Sequence, residues 1–304
     1  MNYELFRTPV EIAKPPFGIK PGQHILCVGS CFAQSIGQRF ADALFPTAVN
    51  PWGVMYNPVS ILHTIQRIGN AYSLQSASAV DSASSAGEDI AAAMPPDVAI
   101  LTLGTNHVYR LKSSGAIVDN CQKRPANLFQ EECLSVDQCV EALCQCVGIL
   151  QQLNPEVKIV FTVSPIRYQK YGFHESQLSK ATLLLAADKV VGQLQNADNA
   201  PHENGGIGSR IAYFPAYELL NDELRDYRFY ASDMLHPSEQ AVGYVWERFV
   251  EAFFTTEACQ YLKEWKPIRQ ALDHRPFHPD APAYQQFMAL TQQRLDAFKA
   301  KYSL

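Results

Sequence analysis

The stretch HILCVGSCFA (residues 24–33) decides the fold, because an apolar strand runs through a glycine directly into the start of a helix. Residues 24–29 predict a buried strand and residues 34–44 predict the helix that follows it. Gly29 permits the tight turn between the two elements. The residues after Gly29 then lie at a helix N-terminus, where free backbone N–H groups favour an anion.

Further apolar runs predict the rest of a sheet. They are residues 98–104, 157–163 and 211–214, with a weaker candidate at residues 47–50. Nearly continuous apolar runs are typical of strands that are covered on both faces. Helices are predicted over residues 136–153, 178–194 and 238–254, with Ser135 as the N-cap of the first. This alternation predicts an α/β fold with a parallel sheet.

The composition excludes several classes of protein. The chain has 304 residues, a formal net charge of −5, 47% apolar residues and 18% charged residues. It is long enough to bury a core without metal or disulfide staples, and too apolar to be wholly disordered. The mild acidity gives no support for a nucleic-acid partner. With no apolar stretch of about 18 residues and no signal peptide at its start, the chain is expected to have no membrane span.

The cysteines and the C-terminal region complete this outline. Eight cysteines in such a chain indicate reduced thiols and a cytoplasmic protein. Residues 284–302 carry spaced apolar side chains and predict a docking helix. We therefore expect an α/β domain over residues 1–254 and a helical extension over residues 255–304 packed on it. Residues 73–93 are expected to be an exposed loop with a weak helix or a disordered insert, and residues 196–210 a polar, Gly-rich loop.

Ser30 and Cys31 are the first candidates for chemistry. Ligands of an open parallel sheet bind at the carboxyl ends of its strands, and both residues follow such an end. A cysteine at a helix N-terminus is expected to have a lowered pKa and to be more nucleophilic. The alternatives are that Ser30 serves as an N-cap and that Cys31 is a small buried apolar residue.

The second candidate is the DxxH pattern of Asp233 and His236, which lies just before the helix predicted from residue 238. A carboxylate three residues before an imidazole can orient it and stabilise its charged form. The alternative is that Asp233 caps a turn and His236 is a surface residue.

Asn106 and Gly53 are candidate donors to an oxyanion. Asn106 follows the strand predicted over residues 98–104, and Gly53 follows the weak strand over residues 47–50. An Asn amide and a backbone N–H group are both typical oxyanion donors. The alternative for each is an ordinary turn.

Arg167 and Lys180 follow the strand at residues 157–163. Arg167 is a candidate for binding a carboxylate or phosphate of the substrate, whereas Lys180 is expected to be a surface charge. The histidines form no HExxH motif, and Cys139, Cys144 and Cys146 lie within the predicted helix 136–153. No metal and no cofactor are therefore expected.

The string GSCFA (residues 29–33) is the name motif of the GSCFA family, a branch related to the SGNH, or GDSL-type, hydrolases. The chain resembles this family over most of its length. The matching strings are NPWGVMYNP (50–58), LTLGTNHVYR (101–110), VDNCQKRP (118–125), FTVSPIR (161–167), YFPAYELLNDELRDYRFYASDMLHPSEQA (213–241) and HRPF (274–277).

The resemblance implies a flavodoxin-like, three-layer sheet and the cleavage of esters or the transfer of acyl groups. It places Cys31 at the nucleophile position and Ser30 beside it, although a shift of one residue would make Ser30 the nucleophile. Gly53 and Asn106 take the oxyanion-hole positions, and Asp233 and His236 take the DxxH positions.

We therefore expect an acyl-ester or thioester hydrolase or an acyltransferase, acting on a small acyl or carbohydrate substrate. A thiolate is a strong nucleophile, and a thioester can pass its acyl group to an acceptor, so transfer is as plausible as hydrolysis. The alternative is a non-catalytic carbohydrate- or acyl-binding module that retains the SGNH fold.

Overall fold

The computed structural model describes residues 7–77, 94–197, 207–278 and 280–304. Its strands are β1 (Ile25–Gly29), β2 (Thr47–Val49), β3 (Val98–Leu103), β4 (His107–Leu111), β5 (Ile117–Val118), β6 (Phe129–Cys133), β7 (Lys158–Val163) and β8 (Ile211–Phe214). Its longer helices are α1 (Cys31–Asp42), α2 (Pro58–Ala77), α3 (Val136–Leu153), α4 (Phe173–Ala197), α5 (Glu239–Phe253), α6 (Thr256–Leu272) and α7 (Pro282–Tyr302).

The main sheet is parallel and has the strand order β2-β1-β3-β7-β8. Numbered along these five strands, the order is 2-1-3-4-5, which is that of the flavodoxin-like fold. The prediction of an α/β, flavodoxin-like sheet is therefore confirmed. The three central strands, β1, β3 and β7, are buried on both faces, as their continuous apolar runs predicted.

Helices cover both faces of this sheet and make two separate cores. One core lies under α2, α3 and α4 and contains Ile65, Leu143 and Leu183. The other lies under α1, α5 and α6 and contains Phe40 and Phe249. The molecule thus has three layers, as the resemblance implied.

The structure departs from the predicted elements in four places. Helix α4 begins at Phe173, five residues before the predicted start. Helix α1 begins at Cys31, three residues before the predicted start, because Ser30 occupies the N-cap position directly after the glycine turn. Helix α2 was not predicted, although Ile61, Ile65 and Ile68 form a buried stripe at helical spacing. The small antiparallel sheet β5-β4-β6 was not predicted either.

Other predicted elements are present close to their expected positions. Helix α3 has the predicted bounds, and Ser135 caps it in a capping box with Gln138. Of the two polar segments, residues 73–77 belong to α2, and residues 78–93 and 198–206 lie outside the described residues.

The C-terminal helices close the end of α1. Tyr261 donates to the carbonyl of Ala43 at 2.7 Å, and the indole of Trp265 donates to the carbonyl of Asp42 at 2.8 Å. Phe298 of α7 packs on both rings, with centroid distances of 4.8 and 5.4 Å. Helices α6 and α7 thus share a core with the sheet region. A domain boundary at residue 254 stays a prediction.

Gly29 is the point at which β1 turns into α1. Its φ is +147°, a value that residues with a side chain rarely adopt. A Cβ at this position would lie 2.1 Å from the carbonyl oxygen of Thr102 on β3. The N–H of Ser30 donates to that same oxygen at 3.1 Å. The backbone of the turn therefore approaches β3 so closely that only glycine fits.

We predict that Gly29→Ala lowers the free energy of unfolding by about 3 kcal/mol or more, because the added methyl would overlap the Thr102 carbonyl. Urea unfolding measures the change. The matched control is Gly148→Ala on α3, where an added Cβ meets nothing within 4 Å, and which should stabilise the helix by up to about 1 kcal/mol. Similar values for the two variants would contradict this account of the turn.

Candidate active site

The turn after β1 distinguishes the two candidate nucleophiles by exposure. Ser30 is the N-cap of α1 and is fully buried, and its hydroxyl has no hydrogen-bond partner among the described residues. Cys31 is the first residue of α1 and is partly exposed. Its position at the N-terminus of the helix is the predicted one. Of the two side chains, only that of Cys31 is open to solvent.

Tyr56 is the polar neighbour of the Cys31 thiol. Its hydroxyl oxygen lies 3.8 Å from Sγ of Cys31. Burial and the neighbouring Cys31 raise the pKa of Tyr56 to about 12, so its hydroxyl keeps its proton at neutral pH. Tyr56 also packs edge-to-face on Tyr168, with ring centroids 6.1 Å apart. The thiol therefore faces a phenol that can donate a hydrogen bond.

Asp233 and His236 form the pair that the DxxH pattern predicted. Oδ2 of Asp233 lies 2.6 Å from Nδ1 of His236, while Oδ1 accepts from the backbone N–H groups of Leu235 and His236. These backbone N–H groups, with the imidazole, lower the pKa of Asp233 to about 2. Asp233 therefore caps a turn and also orients the imidazole. With Nδ1 donating to the carboxylate, Nε2 is left to accept a proton.

Arg167 holds the loop that carries His236. Its backbone N–H donates to the carbonyl of Leu235 at 3.1 Å, and its guanidinium donates to the carbonyl of Met234 at 3.0 Å. The guanidinium also lies over the ring of Phe173, 4.2 Å from its centroid. Because Arg167 follows the end of β7, these contacts tie the DxxH loop to the sheet. The same side chain lines a cavity of about 230 Å³ with Tyr227 and Tyr230.

Hydrogen bonds do not join the candidate nucleophile to the candidate base. The side chain of Cys31 contacts Tyr56, and the ring of His236 bonds Asp233. Among the described residues neither Ser30 nor Cys31 bonds His236. Catalytic hydrogen bonds are often long or poorly aligned in a ligand-free site and tighten with substrate.

The two candidate oxyanion donors already have acceptors. The N–H of Gly53, which has a φ of +90°, donates to the carbonyl of Asn50 at 2.7 Å in a tight turn. Nδ2 of Asn106 donates to the carbonyl of Leu134 at 2.8 Å. An amide group carries two hydrogens, so Asn106 retains a second one to donate. Gly53 thus makes the turn that its alternative interpretation predicted.

Lys180 is buried, so the expectation that it is a surface charge was wrong. It is 2% exposed, and its ammonium donates to the carbonyls of Gly104 and Ser164, each at 2.7 Å. Nζ also lies 5.1 Å from the centroid of the Tyr168 ring. Burial lowers the pKa of Lys180 to about 7. The side chain therefore links the carboxyl ends of β3 and β7 beneath the site.

The sequence carried a signal for this burial. Lys180 precedes Leu183, Ala187 and Val190 at helical spacing, and those three residues are fully buried. A lysine on the apolar stripe of an amphipathic helix faces the core. The partnership of Tyr56 with Cys31 had no comparable signal, because their contact joins segments 25 residues apart.

A polar cleft of about 510 Å³ opens beside the Gly53 turn. Its wall includes Trp52, His63, Arg67 and Asp119. Asp119 bonds His63 and Arg67, each at 2.6 Å. Burial raises the pKa of Asp119, but these bonds outweigh that effect and keep the pKa below its ordinary value. The cleft is therefore lined by a preorganised set of charged and aromatic side chains.

Two other kinds of site are not found in the described part of the chain. No group of three or more His, Cys, Asp or Glu side chains there is arranged to hold a metal ion. None of the helices in the described ranges combines the length and the hydropathy that crossing a bilayer requires.

Comparison with protein families identifies the chain. The model of the GSCFA family matches residues 24–88 and 79–249, which is more than half of the sequence. The chain belongs to the GSCFA family. A second model, described as the C-terminal domain of GSCFA domain proteins, matches residues 265–304, which hold part of α6 and all of α7. A search of curated proteins finds no match.

Several solved structures are distantly similar to this GSCFA protein. An acetyl esterase mutant with acetate ion has a TM-score of 0.40 and 12% identity, over 80% of this chain and 99% of that one. A carbohydrate esterase of family 3 from Talaromyces cellulolyticus has a TM-score of 0.40 and 10% identity, over 80% and 99%. A structure from Streptococcus pneumonia, described as a platelet activating factor, has a TM-score of 0.38 and 13% identity, over 76% of this chain and 85% of that one.

We predict that Lys180 makes stability depend on pH. Between about pH 7 and pH 10 the unfolded chain holds a proton that folded Lys180 releases, so the free energy of unfolding should rise with pH by up to about 1.4 kcal/mol per unit. Below about pH 7 both states hold the proton and this contribution is constant. Urea unfolding across this range measures the slope.

Lys180→Met should abolish that slope. It should also cost about 1–3 kcal/mol for each carbonyl left without a donor, at every pH. The control is Lys189→Met on the same helix, which removes an exposed lysine paired with Asp137 and should leave the slope unchanged. An unchanged slope in Lys180→Met would contradict the assignment.

Proposed function

We propose that this GSCFA protein is an SGNH-like acyl hydrolase or acyltransferase with Cys31 as its nucleophile. The observation that carries the proposal is the contrast in exposure at the turn after β1. The thiol of Cys31 is open to solvent at the N-terminus of α1, whereas the hydroxyl of Ser30 is fully buried. A substrate can therefore reach the sulfur and not the hydroxyl.

The proposed reaction begins with attack of the Cys31 sulfur on a substrate carbonyl. His236, held by Asp233, accepts the thiol proton at Nε2 and returns it to the leaving alcohol or thiol. The product of this step is a thioester on Cys31. Water or an acceptor hydroxyl then takes the acyl group, which gives hydrolysis or transfer.

We propose the Tyr56 hydroxyl, the backbone N–H groups in the first turn of α1 and the second amide hydrogen of Asn106 as oxyanion donors. The N–H of Ala33 donates to the carbonyl of Ser30 at 2.8 Å, which leaves the N–H groups of Cys31 and Phe32, the first two of the helix, as the proposed donors. The Tyr56 phenol keeps its proton and lies 3.8 Å from the sulfur. For Gly53 we propose a conformational role, because its N–H already serves the turn.

We propose that the cleft beside Gly53 holds the remainder of a small acyl or carbohydrate substrate. Trp52 offers an aromatic surface, and the His63, Arg67 and Asp119 cluster offers both donors and acceptors. Met55 lines the cleft, and its N–H donates to the carbonyl of Gly29 at 2.9 Å, so the cleft adjoins the turn that carries the thiol. This arrangement suits a ligand with a polar body and an acyl group.

The second candidate function is a non-catalytic binding module for a carbohydrate or an acyl group. The observation that favours it is the absence of a hydrogen bond between Cys31 and His236 among the described residues. The two functions differ in one measurable respect, since only the first requires turnover.

We predict that Cys31→Ala and His236→Ala each lower kcat/KM on activated acyl esters and thioesters by about 1,000-fold or more, because each removes a reacting group. Cys259→Ala, which removes a partly buried thiol on α6, is the control and should retain activity. Activity that survives Cys31→Ala but not Ser30→Ala would assign the nucleophile to Ser30. A wild type that binds substrate without turnover would establish the binding module.

We further predict that Arg167→Met lowers kcat by about 10-fold with little change in the fold, because the DxxH loop loses its guanidinium donor to Met234. The control is Arg225→Met, which lines the same cavity but does not bond that loop. Steady-state kinetics with a p-nitrophenyl ester measures both variants. If only KM rises in Arg167→Met, the side chain binds substrate instead of positioning His236.

A further inference from the structure

The antiparallel pair β4 and β6 presents a second cysteine beside a histidine and a carboxylate. His107 on β4 lies directly opposite Cys133 on β6, and Tyr109 lies opposite Glu131. Opposed residues of an antiparallel pair share a face, and so do alternate residues along one strand. The register of this sheet therefore places His107, Cys133 and Glu131 together, on a face that none of the residues proposed above occupies.

The distances give these three side chains the order of a nucleophile, a base and an orienting acid. Nδ1 of His107 lies 2.9 Å from a carboxylate oxygen of Glu131. The sulfur of Cys133 lies 3.6 Å from each ring nitrogen of His107. Because Nδ1 donates its proton to the carboxylate, Nε2 is the nitrogen that can accept the thiol proton.

Neighbouring residues hold the imidazole in this orientation. The ring of Tyr171 stacks on that of His107, with centroids 3.7 Å apart and planes 6° apart. The hydroxyl of Tyr171 in turn lies 3.3 Å from that of Tyr109. His107 is only 7% exposed, whereas Cys133 is exposed. An enclosed base thus lies beside a thiol that a reagent can reach.

We propose that Cys133, His107 and Glu131 form a second nucleophilic site, which accepts acyl groups from activated esters and thioesters. The sulfur forms a bond to the carbonyl carbon while the thiol proton passes to Nε2 of His107. The bond to the leaving alcohol or thiol then breaks, and that group takes the proton from His107. The acyl group ends as a thioester on Cys133, and no oxidant or metal is required.

The charges around Cys133 make His107 necessary for this reaction. Burial, Glu175 of α4 and Glu131 of β6 raise the pKa of the thiol above its ordinary value. The other titratable groups on this face are Tyr109, Tyr171 and Lys170, and Lys170 lies 4.3 Å from the centroid of the Tyr109 ring. A preformed thiolate is therefore scarce at neutral pH, and reactivity depends on removal of the proton during attack.

The test measures acylation by p-nitrophenyl acetate in the full-length Cys31→Ala protein. Peptide mass spectrometry follows the acetyl group on Cys133 at pH 7 and, in the same sample, on Cys121, a partly exposed thiol with no histidine partner among the described residues. We expect Cys133 to be acetylated at least 10-fold faster than Cys121. His107→Gln should slow Cys133 by about 100-fold and leave Cys121 unchanged.

Glu131→Gln keeps the test decisive if the His107 variant does not fold, because the Glu131 side chain is 39% exposed and its loss should not disturb the core. We expect it to slow acetylation of Cys133 by about 10-fold, with an unchanged thermal unfolding curve. In the His107 variant, which lacks the base, the rate at Cys133 should rise about 10-fold per pH unit, as the thiolate fraction does, and more steeply than in the Cys31→Ala protein that retains His107.

Equal rates at Cys133 and Cys121 would overturn the proposal, and so would a rate at Cys133 that Glu131→Gln leaves unchanged. The test uses the Cys31→Ala protein, which lacks the nucleophile of the proposed acyl hydrolase. The result is therefore independent of the chemistry proposed for Cys31.

Discussion

The close approach of the Gly29 turn to β3 is the constraint on which the rest of the site depends. With no side chain at position 29, the N–H of Ser30 reaches the carbonyl of Thr102, and α1 begins at once beside the end of the central strand. Cys31 is thereby placed in the first turn of that helix. At the other end of α1, Tyr261 and Trp265 donate to the carbonyl of the C-cap residue and to the last carbonyl of the helix.

A buried lysine lies at the same carboxyl edge of the sheet, next to the end of β3. Lys180 fills the space between the ends of β3 and β7, and its hydrogen bonds to Gly104 and Ser164 offset part of the cost of burying an ammonium group. Ligands of a flavodoxin-like sheet enter where the strand order reverses, between β1 and β3. Cys31 follows β1, which is one of the two strands at this reversal, whereas Lys180 lies between β3 and β7.

Much of this arrangement could be predicted from local sequence. Continuous apolar runs predicted the main strands, helical spacing and Ser135 predicted α3, and the GSCFA string predicted the turn. The antiparallel sheet β5-β4-β6 was missed because β5 has two residues and only one of the five β6 residues is buried. Such strands carry too weak an apolar pattern to be recognised without their partners.

The sequence by itself determined the sheet, the helix that follows its first strand and the chemistry-bearing residues at the strand ends, because hydrophobic periodicity and glycine turns are local properties of the chain. Only the tertiary structure decided which of those residues is accessible. Ser30 and Cys31 are neighbours with the same local signals, yet one faces the interior and the other solvent. The partners of Arg167, Lys180 and Tyr56 also lie on other segments of the chain, and only long-range packing brings these groups together.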